Sequence, residues 1–126
     1  MSSFPTDLRY TPDHEWLKSQ GTAWRVGITQ FAVDQLGDIT LVDLPNVGDL
    51  VTKGQRFGTI ESVKSVSDLY APVSGRVIAV NAKLKDAPED VNSDPYGKGW
   101  MIDLEPNDKA ELAELLDPAA YTKLAV

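Results

Sequence analysis

The sequence predicts an α+β chain, mainly β, and three observations carry that prediction. Short apolar or alternating segments recur from His14 to Pro106, and glycine, proline or asparagine punctuates them. Helical spacing is confined to a short run after Thr29 and to the stretch from Asp108 onward. Strands followed by helices place the helices at the ends or flanks of antiparallel sheets rather than between parallel strands. At 126 residues, residues 1–126 are expected to form a single domain, which at this size buries roughly two-thirds of its unfolded surface.

HEWLKS (14–19) and TAWRVGI (22–28) are apolar and aromatic runs separated by Gln20-Gly21, a hairpin signal. Thr29 is placed to cap a helix over Gln30 to Leu36, where Phe31, Ala32 and Leu36 share a face and Gly37 supplies a left-handed stop. DITLVDL (38–44) alternates as a strand up to Pro45-Asn46, and Val47 to Val51 leads into the turn Thr52-Lys53-Gly54. QRFGTIES, SVSDLYA and GRVIAVN are three further strands, broken by Lys64 and by the bend APVSG (71–75). KGQRFGTIE echoes VSGRVIAV, each a turn leading into an apolar strand. The echo predicts two half-sheets related by a pseudo-two-fold axis, with Lys64 on the loop where they meet. Lys83 to Pro95, charged and proline-punctuated, reads as a surface loop with one helical turn near Ala87 to Val91. GWMIDLEP (99–106) is a closing strand. Asn107 is placed to cap a helix over 108–116 with Leu112, Leu115 and Leu116 on one face, and PAAYTKL adds a last helical turn.

Composition removes whole classes of function. No apolar run approaches the roughly 20 residues that span a bilayer, so a soluble chain without a membrane partner is expected. The start, MSSFPTDLRY, is neither a basic-then-apolar secretory leader nor an Arg-rich transit segment; the expected location is the cytoplasm of a prokaryote, with a mature organellar chain the lesser alternative. A net charge of −7 repels phosphate backbones, which argues against a nucleic-acid partner. The absence of cysteine excludes disulfides, thiolate metal sites and a cysteine nucleophile. With His14 the sole histidine and no G-x-S-x-G, H-E-x-x-H or P-loop pattern, the chain is poorly equipped for catalysis, and neither a catalytic nor a metal site is expected.

ESVKSVSD (61–68) places Lys64 at the tip of a predicted hairpin, flanked by Ser62, Val63, Ser65 and Val66. Such a tip projects an amine away from the sheet, reachable by another protein's active site. Glu61 and Asp68 set carboxylates on either side. Taken alone, these residues describe a plain surface lysine. The surroundings reverse that reading. YTPDHEWL (10–17), VGIT (26–29), LGDITLVDLPNVGD (36–49), ESVKSVSDLYAPVSG (61–75) with VIAVN, NSDPYGKGWM (92–101) and AELAELLDPAAYTKL together resemble the H proteins of the glycine cleavage system, in order and through almost the whole chain.

That resemblance implies a non-catalytic lipoyl carrier. In the family the lysine of E-S-V-K carries lipoic acid in amide linkage, which matches Lys64. The implied fold is a lipoyl-type barrel-sandwich hybrid of antiparallel sheets, with the lysine at a hairpin tip and flanking short helices. The arm would take an aminomethyl group from glycine decarboxylase (P protein, pyridoxal-phosphate dependent) and pass it to the tetrahydrofolate-dependent aminomethyltransferase (T protein) with release of ammonia. Dihydrolipoamide dehydrogenase (L protein) would reoxidise it. A separate enzyme attaches the lipoate, reading Glu61 and Gly75; a monomer is expected. An S-aminomethyl group in water hydrolyses to formaldehyde and ammonia, so the carrier should shelter it in a cleft with carboxylates opposite the cationic amine.

The resemblance points to Glu15 and Asp68 as cleft residues, with Asp13 where some members have serine and Gln35 where some have histidine. Read without it, Glu15 and Asp13 are solvated strand ends and Asp68 a turn acid. His14 is expected to be a strand residue satisfied by a hydrogen bond beside Trp16, and Tyr96 and Trp100 are packing residues. Rival readings meet specific obstacles. Biotin carriers set their lysine between methionines, and the lipoyl domains of 2-oxoacid dehydrogenases usually show D-K-A; here the neighbours are Val63 and Ser65. A Schiff-base lysine needs a desolvated amine with a depressed pKa, which an exposed tip opposes. An H-like protein acting mainly as lipoyl donor to 2-oxoacid dehydrogenase complexes stays open.

Overall fold

The structure, a computed structural model, describes residues 5–125. Strands β1 (Arg9–Tyr10), β2 (Glu15–Gln20) and β3 (Ala23–Ile28) lead into helix α1 (Gln30–Leu36). β4 (Ile39–Asp43), β5 (Leu50–Val51), β6 (Arg56–Ser62), β7 (Val66–Tyr70) and β8 (Gly75–Val80) follow. A 3-10 turn (Ala82–Lys85), α2 (Asp90–Ser93), β9 (Ile102–Pro106), α3 (Lys109–Ala113) and α4 (Pro118–Leu124) complete the order. Every strand pair is antiparallel. One sheet runs β1-β2-β3-β9-β8-β5, the other β4-β6-β7. Neither closes into a barrel; the fold is the expected barrel-sandwich arrangement.

Alternation along the strands fixes which faces meet. Val42, Ile60 and Leu69 of the smaller sheet share one buried core with Leu17, Val26, Val77 and Leu104 of the larger. Burying these side chains is the main favourable contribution to holding the sheets together. A second cluster joins the chain ends. Tyr10 and Tyr121 stack at 4.6 Å between ring centroids, beside Trp16, whose indole N–H donates to the Pro95 carbonyl at 3.0 Å.

The local signals mostly hold. Thr29 caps α1 by accepting from the Ala32 N–H at 3.3 Å, and the Gly37 N–H closes the helix on the Val33 carbonyl at 3.0 Å. Gly37 departs from the expected left-handed stop in one respect: with φ 79° and ψ −152° it sits in a region essentially reserved for glycine.

Four expectations need correction. The Lys64 loop joins β6 and β7 within the smaller sheet. It does not lie where the echoed halves meet; the chain crosses between sheets at Ala71 to Ser74, and the echoed strands β6 and β8 fall in different sheets. The stretch from Lys83 to Pro95 is no simple surface loop, because Leu84 and Val91 are fully buried and pin a 3-10 turn and α2 to the core. Asn107 still belongs to the sheet margin, donating to the Ser74 carbonyl at 3.1 Å, so Asp108 caps α3 by accepting from the Ala110 N–H at 3.0 Å. α3 ends at Ala113 because Leu116 is drawn into paired hydrogen bonds with Tyr10, 2.9 and 2.8 Å, after which Asp117 caps α4.

Candidate functional site

The tip of the β6–β7 hairpin is built from serine chemistry. The Ser62 N–H donates to the Ser65 carbonyl at 2.8 Å, and the Ser62 hydroxyl oxygen accepts from the N–H groups of Lys64 and Ser65, each at 3.2 Å. The Val63 N–H donates to the Asp38 carbonyl at 3.1 Å, tying the tip to the turn between α1 and β4. Lys64 is exposed, and among the described residues its ammonium makes no hydrogen bond or ion pair. The stem lies against Gly37: a Cβ built there would sit 3.2 Å from Lys64 Cε. Neither carboxylate beside the tip in sequence forms an ion pair with the amine. Asp68 faces Arg56 at 3.8 Å, and Glu61 lies in register between Leu41 and Val66 on the outer face.

Next to this tip an open cleft of about 430 Å³ runs between α1, the open edge of β7 and the segment from Pro12 to Glu15. Ile28, Ala32, Leu36, Ile60 and Leu69 give it apolar walls. Asp13, Glu15, Gln35 and Asp68, from three separate segments of the sequence, all line this one cleft. β7 is an edge strand, so the cleft exists because no further strand pairs there.

Glu15 is not the solvated strand end that spacing alone suggests; it is 2% exposed. Its carboxyl accepts from the Tyr70 N–H at 3.0 Å and from the Thr11 hydroxyl at 3.2 Å. Burial pushes its pKa up to about 8, against the pull of the Tyr70 hydrogen bond, with Asp13 adding to the rise and Thr11 opposing it. Asp13, Gln35 and Asp68 are exposed at the rim.

His14 is a turn residue rather than a strand residue, with φ 66°, the one positive φ outside glycine among the described residues. Its Nδ1 shares a hydrogen bond of 2.8 Å with the Tyr121 hydroxyl, which also bonds the buried Thr29 hydroxyl at 2.7 Å. Burial holds the imidazole below its ordinary pKa, with Asp13 pulling the other way. The C-terminal helix thus clamps both the turn that carries Glu15 and the start of α1. Tyr121→Phe should cost about 1–3 kcal/mol, read as a lower urea midpoint; an unchanged midpoint would show that the clamp is dispensable.

Gly75 opens β8 opposite Pro106, and a Cβ there would run into the Glu105 carbonyl; this close backbone approach alone demands glycine. Tyr96 does more than pack, since its hydroxyl accepts from the Gln30 N–H at 2.9 Å, and Trp100 lies under the Arg25 guanidinium at 3.9 Å. Three residues that shape the site escape a reading by spacing: Thr11, Tyr121 and Asn92. Asn92 Oδ1 accepts from the Ile39 N–H and its Nδ2 donates to the Gly37 carbonyl, both at 2.9 Å. Their one sequence signal was membership of the quoted motifs YTPDHEWL, AELAELLDPAAYTKL and NSDPYGKGWM.

Among the described residues no cluster of His, Asp or Glu is placed to hold a metal ion, and no helix is long and apolar enough to cross a membrane. The family model for the glycine cleavage H-protein matches residues 8–126. A glycine cleavage system H protein from Anaeromyxobacter sp. (strain K) is 58% identical over 117 residues, 93% of this chain and 91% of that one. One from Carboxydothermus hydrogenoformans is 54% identical over 124 residues, 98% and 95% of the two chains. The crystal structure of a glycine cleavage system H protein from Mycobacterium marinum superposes with a TM-score of 0.88 at 42% identity, covering 95% of this chain and 97% of the other. On sequence and on fold alike, the chain belongs to the glycine cleavage H-protein family.

Proposed function

We propose that the whole chain acts as one non-catalytic carrier unit in which Lys64 bears a lipoyl group, and that the cleft shelters the loaded end of that arm. The observation that carries this reading is the pairing of an exposed lysine at a hairpin tip, its ammonium unpartnered among the described residues, with an adjacent cleft that has apolar walls and the Glu15 carboxyl at its floor. The residues present fit the group. The apolar walls suit an aliphatic arm, and the bare surface of Gly37 receives the lysine stem. When bound to Lys64, the lipoyl group would supply a reducible disulfide for carrying the aminomethyl unit of glycine between the P and T proteins, with the L protein as its oxidant.

The chain's own residues orient and protect. Ser62 shapes the tip, which leaves the exposed Lys64 amine accessible for amide formation with the lipoate carboxyl, activated through ATP by the attaching enzyme. Glu15, with Asp68 and Asp13 at the rim, would hold a cationic amine by charge-assisted hydrogen bonds, and Gln35 would offer an amide dipole. Leu41, Val63 and Val66 are 47%, 68% and 63% exposed around Glu61, an apolar collar suited to docking by the attaching and partner enzymes. Glu61 within it is the residue we assign to recognition by the attaching enzyme, and the buried Gly75 would contribute only by shaping the backbone that presents the hairpin. The bacterial origin of its relatives supports a cytoplasmic location.

The test is intact and peptide mass spectrometry after incubation with lipoate, ATP and a lipoate ligase. A single adduct on the peptide containing Lys64 is expected. No adduct, where a control lipoyl domain is fully modified, would overturn the reading.

A further inference from the structure

The Asn92 side chain holds the two ends of the turn Gly37-Asp38-Ile39 at once: its Oδ1 accepts from the Ile39 N–H and its Nδ2 donates to the Gly37 carbonyl. The carbonyl of the residue between them, Asp38, accepts from the Val63 N–H at the hairpin tip. One amide on α2 therefore fixes the peptide that anchors the loop carrying Lys64. Gly37 contributes a second constraint. Its backbone region is essentially reserved for glycine, and the surface left bare is where the Lys64 stem lies, with Cε 3.2 Å and Nζ 3.8 Å from the place a Cβ would take. Gly37 directly follows Gln35 and Leu36, which line the cleft. The stem is thus laid across the end of α1 where the cleft begins.

We propose that the turn Gly37-Asp38-Ile39, clipped by Asn92, aims the Lys64 arm along the cleft, which makes Asn92 a positioning residue for the carrier. The inference rests on Lys64 as the lipoylated residue. Without the clip the β6 ladders to β4 and β7 remain, but the tip loses its fixed anchor and the arm its direction.

The test uses the full chain with Asn92→Asp, an isosteric change that sets an anionic oxygen against the Gly37 carbonyl, and Asn92→Ala, which removes both bonds. Asp108→Ala, which loses a helix cap remote from the cleft, controls for a merely structural loss of stability. Amide exchange at Val63 is expected to speed up about tenfold in both Asn92 variants, with Val26 in the β2–β3 ladder unchanged. After lipoylation and loading by the P protein with glycine, formaldehyde release should speed up several-fold in both Asn92 variants and not in Asp108→Ala. Wild-type exchange at Val63 overturns the inference, as does faster exchange with unaltered formaldehyde release. A failure of the wild-type chain to take a lipoyl group would instead bring down the carrier reading and this inference together, so the two failures are distinguishable. Should Asn92→Ala not fold, Asn92→Asp decides the matter alone.

Discussion

Lys64→Arg incubated with lipoate, ATP and lipoate ligase should remain at its unmodified mass, and reconstituted glycine cleavage with this variant should fall to background. The change keeps the stem and the positive charge but removes the acylable amine, because a guanidinium stays protonated at any working pH. Its effect on the fold should be small. Lys64 is exposed and its ammonium has no partner among the described residues, so the unfolding free energy should stay within about 0.5 kcal/mol of wild type. No other lysine should substitute. Lys18 lies within β2, Lys83 and Lys85 on the 3-10 turn, Lys109 and Lys123 on helices, and Lys98 in the approach to β9. Lys53 stands at a turn but is ion-paired with Glu114, whereas Lys64 alone occupies the tip between two paired strands. A wild-type level of adduct on Lys64→Arg would place the modification elsewhere and sever the link between hairpin and cleft.

The hairpin was legible because its signals are local: alternation in β6 and β7 sets the register, and small residues mark the tip. α1 was legible for the same reason, with Thr29 and Gly37 at its ends. The burial of Glu15 was not. Its partners are Thr11, four positions away across a turn, and Tyr70, whose amide arrives from the edge strand of the other sheet. No spacing rule joins those three residues. Asn92 was hidden in a polar stretch whose buried anchors, Leu84 and Val91, are too sparse to show a period. α3 came out shorter than its leucine pattern because a tertiary bridge to Tyr10 competes with helix propagation at Leu116. The four candidate cleft residues were named from family motifs, and only the packing of β7 beside α1 shows that they face one space.

Replacing Glu15 by glutamine should invert the usual expectation that losing a buried charged group destabilises. Unfolded, the carboxyl titrates near 4.5; folded, burial raises it to about 8. Below the lower value both states are protonated and burial carries no ionic penalty. Between the two, the unfolded chain releases a proton that the folded chain keeps. The stability contribution therefore falls as pH rises, by about 1.4 kcal/mol per pH unit, until the folded pKa is passed. Glutamine does not titrate, and its amide can accept from the Tyr70 N–H and donate to the Thr11 hydroxyl. Glu15→Gln should match wild type near pH 4.5 and be more stable by pH 8. Urea titrations at several pH values measure the difference, and parallel profiles would show that Glu15 does not ionise differently in the two states. The same proton has a functional face. A cationic amine in the cleft favours the carboxylate, so loading should expel a proton from Glu15 and tighten as pH rises toward 8. Glu15→Gln removes that charge, so formaldehyde release from the loaded arm should rise about tenfold while lipoylation of Lys64 persists. The variant should thus be the more stable protein and the poorer guardian of its cargo, a combination that a structural role for Glu15 alone would not produce.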